Sequence, residues 1–130
     1  MTRLLVLTLV LGACAAPASD LEDGPFRDLE DYESQRAAAV ADLEAAIGTP
    51  SAGNVRSCLV LPVGAKACGG PAGHVAYSTE TAEVPVLLRL ARRVTELDQA
   101  ANAQFELASD CALEVAPPAA LEGGMCVLGE

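Results

Sequence analysis

Thr81-Ala82-Glu83-Val84-Pro85-Val86-Leu87-Leu88-Arg89-Leu90-Ala91-Arg92-Arg93-Val94-Thr95-Glu96-Leu97-Asp98-Gln99-Ala100-Ala101-Asn102-Ala103-Gln104-Phe105-Glu106-Leu107-Ala108 is the longest regular pattern in the chain. Leu87, Leu90, Val94, Leu97, Ala101 and Phe105 form one apolar stripe at helical spacing, with Arg89, Arg92, Arg93, Glu96 and Gln99 on the other side. The spacing predicts a helix from about Thr81 to Ala108. Pro85 must then sit in its first turn, because an interior proline breaks the hydrogen-bond ladder. A second helical pattern precedes it at 29–47, where Leu29, Tyr32, Ala39, Leu43 and Ala46 recur. Its many alanines favour helix. Asp28, Glu30 and Asp31 suit the positive end of the helix dipole, and Gly48 and Pro50 end it.

Between the helices the period changes to that of strands. Cys58-Leu59-Val60-Leu61-Pro62-Val63 and His74-Val75-Ala76-Tyr77 read as a hairpin turning at Gly64–Ala67. That turn places Val63 opposite Cys68 and Cys58 opposite Gly73. After the long helix, Ala112-Leu113-Glu114-Val115 and Met125-Cys126-Val127-Leu128 are candidate strands, separated by Pro117-Pro118 and Gly123-Gly124. The expected fold is a small α+β domain: two helices packed on a short antiparallel sheet. Alanine-rich helices bury little apolar area, and small exported domains offset a thin core with disulfides.

The start of the chain carries an address. Arg3 is the only charge before Asp20, and Leu4–Leu11 is a short, mostly apolar run. A basic start, a short apolar run and small residues make a secretory signal peptide. A span of the bilayer would need about 20 apolar residues. Leu11-Gly12-Ala13-Cys14 resembles the lipobox of bacterial lipoproteins. The resemblance implies cleavage before Cys14 and acylation, palmitate among the chains, on that cysteine. The membrane is then a partner through the lipid anchor, and two or three acyl chains hold firmly, at about 0.8 kcal/mol per buried methylene. Ala15 implies the outer membrane, facing the periplasm, in a Gram-negative cell. The expected organisation is a signal peptide at 1–13, the lipidated Cys14 with an acidic tether over 14–28, and one domain over 29–130. Cleavage removes Arg3 and no acid, which takes the net charge of −10 to −11.

Cysteine arithmetic follows. Of Cys14, Cys58, Cys68, Cys111 and Cys126, lipidation consumes the first. Four remain, and outside the cytoplasm four cysteines read as two disulfides. A zinc site is the competing reading, but no Cys-x-x-Cys pair is present to nucleate one. Path lengths favour a nested pairing. A strand near 71–78 runs one way and the long helix returns, bringing Cys111 back to Cys68 and leaving Cys58 with Cys126. Neighbour pairing, Cys58–Cys68 with Cys111–Cys126, is the alternative.

Lys66-Ala67-Cys68-Gly69-Gly70-Pro71, then Tyr77-Ser78, the long helix, Ser109-Asp110-Cys111 and a late Gly-x-Cys resemble a family of small uncharacterised bacterial lipoproteins. The resemblance spans roughly Val55 to Cys126. It implies fold and location and carries no catalytic residue. The chain departs from it in having no aromatic residue between Pro71 and Tyr77.

Several chemistries are poorly supplied. Ten excess negative charges and a single lysine disfavour nucleic acid as a partner, since the counterion-releasing cationic face is missing. Gly64-x-x-x-x-Gly69 lacks the Lys-Ser/Thr of a phosphate loop. His74 is the only imidazole, and Ser78 lies about 13 Å along the same strand face. The acid pairs Asp42/Glu44 and Glu80/Glu83 have few aromatic platforms for a sugar. Asp20-Leu21-Glu22-Asp23-Gly24 only distantly follows a calcium loop. The sequence therefore predicts no catalytic residue, no metal site, no cofactor and no enzyme. It predicts an envelope lipoprotein whose domain binds another envelope protein, of unknown identity. The alternative is an inhibitor of an exported hydrolase, a protease or lysozyme. Gly69, Gly70, Pro71 and Gly73 form the candidate partner loop, or else a turn crossing tightly beneath the long helix.

Overall fold

The computed structural model describes residues 24–130, so the expectations for the signal peptide, Cys14 and most of the tether lie outside the described residues. Two helices, α1 (Leu29–Ile47) and α2 (Val84–Gln104), pack on the first of two small antiparallel sheets, and the second sheet packs on the first. The first sheet pairs β1 (Cys58–Val63) with β2 (Gly73–Ser78), and the second pairs β3 (Ala119–Glu122) with β4 (Met125–Leu128). This is the small disulfide-stapled α+β domain that the periodicities imply.

Local chemistry sets the helix ends. The Asp28 carboxylate accepts the Asp31 amide at 2.8 Å, satisfying one of the orphan donors at the α1 N-terminus. Gly48 ends the helix at φ 56°, a left-handed value that suits glycine, and its amide donates to Glu44 at 3.0 Å. Pro85 lies in the first turn of α2, where its missing donor costs nothing. The helix stops at Gln104, short of Ala108, because Phe105 and Glu106 leave helical geometry, with Glu106 at φ 48°.

The buried face of α2 runs through the whole core. Its lower half sets Val94, Leu97 and Ala101 against Phe26 and Ala39; its upper half sets Leu87 and Ala91 against Leu43, Leu61 and Tyr77. Phe26 is 2% exposed and lies edge-on to Tyr32, with ring centroids 5.3 Å apart. Gln104 holds it from both sides, accepting the Phe26 amide at 3.2 Å and donating to its carbonyl at 2.7 Å. The domain thus begins before residue 29. Residues 24–28 read as tether from their charge and glycine–proline content, but burying one aromatic ring makes them part of the fold.

Two strand expectations need correction. The hairpin register is Cys58↔Ser78 through Val63↔Gly73, not Cys58 opposite Gly73. The chain does not turn at 64–67. Gly64–Ala72 projects as a loop, closed at its base by the Ala72 amide on the Val63 carbonyl at 3.1 Å. A smaller turn closes its tip, with the Lys66 amide on the Gly70 carbonyl and the Gly69 amide on the Lys66 carbonyl, both at 3.0 Å. Ala112–Val115 is not a strand either. Residues 107–118 have no regular structure, and β4 takes Ala119–Glu122 as its neighbour. Pairing there follows the two-residue Gly123-Gly124 turn, which admits the positive φ of both glycines.

The disulfides are nested. Cys58 at the start of β1 joins Cys126 of β4, with Cα atoms 5.2 Å apart, and Cys68 joins Cys111 with Cα atoms 5.1 Å apart. No helix among the described residues is long and apolar enough to cross a membrane.

Candidate functional site

Two irregular segments meet at one end of the domain: the loop Gly64–Ala72 and the connection 107–118. Three kinds of tie hold them there. The first anchors the base of the loop on the helices. Asp98, on the apolar face of α2, is 3% exposed. Its Oδ1 accepts Tyr32 Oη at 3.0 Å and Arg36 Nε at 2.8 Å; its Oδ2 accepts the Ala65 amide at 3.0 Å and the Arg36 guanidinium at 3.3 Å. One carboxylate therefore links α1, α2 and the loop. Its hydrogen bond raises the Arg36 pKa, and burial, reinforced by Asp98, raises that of Tyr32. Asn102 Nδ2 adds a bond to the Ala65 carbonyl at 3.0 Å.

Gly64 is the glycine this packing requires. It stands at φ 75°, and a Cβ there would collide with the Asp98 carboxylate and lie 2.9 Å from Ala72 Cβ. The glycines singled out from the sequence behave differently. Gly69 and Gly70 hold φ 97° and 81°, but open space surrounds the place a Cβ would take, as it does at Gly73. The turn at Gly69-Gly70 therefore does not cross tightly beneath α2. Gly69, Gly70 and Pro71 form a ridge between two surface clefts of about 500 and 330 Å³. Gly73 lies off that ridge, paired with Val63 at the start of β2.

The other ties join the loop to the connection. One is the Cys68–Cys111 disulfide, beside which Ser109 Oγ accepts the Cys68 amide at 3.1 Å. The other is Lys66, the only lysine of the chain. Its Nζ donates to Asp110 and Glu114 carboxylates at 3.1 Å and to the Ala112 carbonyl at 3.2 Å. Lys66 is pushed up by these partners, Asp110 foremost. Asp110 is pulled down, first by Lys66 and then by the Ala112 amide. A depressed carboxylate is lost only as pH falls through its lowered value, and a raised ammonium only as pH rises through its raised value. Backbone chemical shifts of Ala112–Val115 should therefore be flat across neutral pH and move only at the acid and alkaline extremes. A transition between pH 6 and 8, followed by nuclear magnetic resonance, would contradict this reading.

What the ties present is apolar. Leu113 is 96% exposed and Val115 86%. No backbone group from Leu113 to Ala116 has a hydrogen-bond partner among the described residues. Sequence reasoning placed Leu113 and Val115 in a strand and found no role for Lys66, Asp98 or Gly64. The alternation of apolar and polar residues was the visible signal, but it marks a half-buried strand and a projecting segment alike.

The remaining candidates are dispersed. His74 is half-buried opposite Pro62, while Ser78 is fully buried with its Oγ accepting the Glu80 amide at 3.1 Å. Glu80 accepts the Gly53 amide at 3.0 Å, while Glu83 precedes α2 and makes no side-chain cap bond. Among the described residues no three His, Cys, Asp or Glu side chains converge as metal ligands. No protein-family model, curated protein or solved structure matches the chain.

Proposed function

We propose that this chain is a membrane-anchored lipoprotein of the bacterial envelope whose domain works by binding, through the face built from Gly64–Ala72 and 107–118. The observation that carries the binding reading is the set of ties there. A disulfide, a three-acceptor lysine and a buried carboxylate fix two loops whose tips, 67–70 and 110–116, are exposed. Ordering exposed chain costs conformational entropy, and doing so in advance removes that cost from the binding step. The lipobox-like Leu11-Gly12-Ala13-Cys14 supports the anchor, and the resemblance to small lipoproteins supports the location.

Intact-mass analysis of the mature protein tests the anchor. The expected product begins at Cys14 and carries acyl chains, and Cys14→Ser should leave the membrane fraction or stay uncleaved. A soluble, unacylated product starting elsewhere would remove the anchor from the proposal. Binding is tested by amide exchange of the purified protein in detergent-solubilised envelope, where 66–71 and 110–116 should gain protection over the free protein. The second reading, an inhibitor of an exported hydrolase, is favoured by one observation: an almost fully exposed Leu113 held in a stapled segment. On that reading the inserted element is 111–116, with the Gly-rich ridge as its support.

A further inference from the structure

We infer that Cys111–Ala116 is a substrate-like inhibitory segment for a serine endopeptidase that prefers a medium-sized apolar side chain, with Leu113–Glu114 as the bond presented. This rests on the reading of the domain as a binding module and names the class of its partner.

The geometry has three parts. First, the segment offers free backbone groups and outward apolar side chains, as a peptide substrate does. Endopeptidase clefts bind extended chain through its backbone groups, as a sheet edge binds an added strand. From Leu113 to Ala116 those groups have no partner among the described residues. Glu114 turns back onto Lys66, while Leu113 and Val115 point away at 96% and 86% exposure. An apolar side chain standing alone on a rigid support fits an apolar specificity pocket. Pro117-Pro118 then close the segment with fixed φ angles.

Second, both sides of one peptide bond are tied to the same loop. On the amino side, Cys111 is joined covalently to Cys68. On the carboxyl side, Glu114 is joined to Lys66, two residues before Cys68. Leu113–Glu114 is the bond between these ties that follows an outward-pointing apolar side chain.

Third, that arrangement explains inhibition rather than digestion. In the cleft, the enzyme's serine oxygen adds to the Leu113 carbonyl carbon. The Leu113–Glu114 C–N bond then breaks as the Glu114 nitrogen takes, through the enzyme's histidine, the proton the serine gave up. An ordinary substrate now loses its amine fragment and water completes hydrolysis. Here Cys111 remains on Cys68, and the chain after Glu114 runs into the β3–β4 hairpin, which Cys126 joins to Cys58, so the amine stays near the acyl carbon with Glu114 guided back by Lys66. Reversal re-forms the peptide bond and returns the proton to the serine. The same ties supply preorganisation, the main route to tight binding by a small contact surface.

The test uses the full chain, purified in detergent with its disulfides formed, against chymotrypsin and subtilisin, with trypsin and lysozyme as controls. The expected result is inhibition of at least one of the first two at near-equimolar ratio, and of neither control. Leu113→Asp, at an exposed position that leaves the fold intact, should weaken inhibition at least 100-fold. Leu113→Lys should transfer inhibition to trypsin. Prolonged incubation should give a single cut at Leu113–Glu114 with inhibition retained. Rapid turnover at that bond, inhibition indifferent to Leu113, or no inhibition by protein with circular dichroism of the folded state would overturn the inference. Amide exchange in solubilised envelope separates this failure from that of the parent reading. If a partner other than a protease protects 110–116, or a second copy does, the endopeptidase is overturned and the binding face stands. If nothing protects it and nothing is inhibited, both fall.

Discussion

Arg36→Met is expected to destabilise the fold by about 3 kcal/mol, because it strands the Asp98 carboxylate inside the protein. Asp98 is 3% exposed and accepts four hydrogen bonds, two of them from Arg36. Methionine keeps an unbranched side chain of similar reach but takes away the positive charge. Tyr32 Oη and the Ala65 amide remain, and they cannot neutralise an anion. The guanidinium side chain is about one-third exposed, so water already screens part of the attraction. The loss therefore falls at the lower end of the range of about 3–5 kcal/mol for breaking a buried pair. Asp98→Asn, which leaves Arg36 access to water, should cost less. The double variant should recover about 1–2 kcal/mol relative to the sum of the singles, the signature of direct coupling. Urea denaturation midpoints with an unchanged slope would read these differences. A loss under about 1 kcal/mol for Arg36→Met with no coupling would show that Asp98 is held by its neutral donors alone.

The second large effect belongs to the outer disulfide. Replacing Cys58 and Cys126 together by serine is expected to cost about 4 kcal/mol on the chain-entropy account, since the bond closes a loop between residues 68 apart. The native side of the balance points the same way. Cys126 is the only fully buried residue of the β3–β4 hairpin. Without the bond, that hairpin keeps its own short ladder, its packing against β1 and β2 and a few backbone bonds to 50–52. These include Cys126 to Pro50 at 2.8 Å and Ala52 to Gly124 at 3.0 Å. A two-stranded hairpin is marginal by itself, so amide exchange over 119–128 should rise together with the fall in stability. The inner bond, Cys68–Cys111, is expected to act differently. It spans residues 43 apart but fixes exposed segments outside the core, so its loss should free 107–118 while β1, β2 and both helices keep their protection. Equal protection of 119–128 with and without Cys58–Cys126 would show that backbone bonds suffice to seat the last hairpin.

Much of the architecture was legible because its causes are local. The stripe from Leu87 to Ala101 marks a buried helix face whatever covers it, and the alanines of 37–46 mark α1. Gly48 and Pro85 mark helix ends through their own dihedral limits. Four cysteines besides Cys14, with no Cys-x-x-Cys pair among them, read as two bonds, and the direction of a strand and the returning helix favour Cys111 with Cys68 over neighbour pairing. The helix and turn signals need no distant partner.

The tertiary structure decided what depends on residues far apart in sequence. Asp98 interrupts an apolar stripe and reads as a defect until Tyr32 and Arg36, 66 and 62 residues away, supply its donors. Phe26 reads as tether until Phe105 and Gln104 close over it. Gly64 resembles any turn glycine until α2 brings a carboxylate against it. Ala112–Val115 alternates like a strand, yet alternation specifies only which side chains share a side and not whether a neighbouring strand exists. Here Lys66 and Cys68 take up the polar side, no sheet edge takes up the backbone, and Leu113 is left in water. A sequence pattern reports a residue's preference for burial; whether it is buried depends on which surfaces the rest of the chain can bring to meet it.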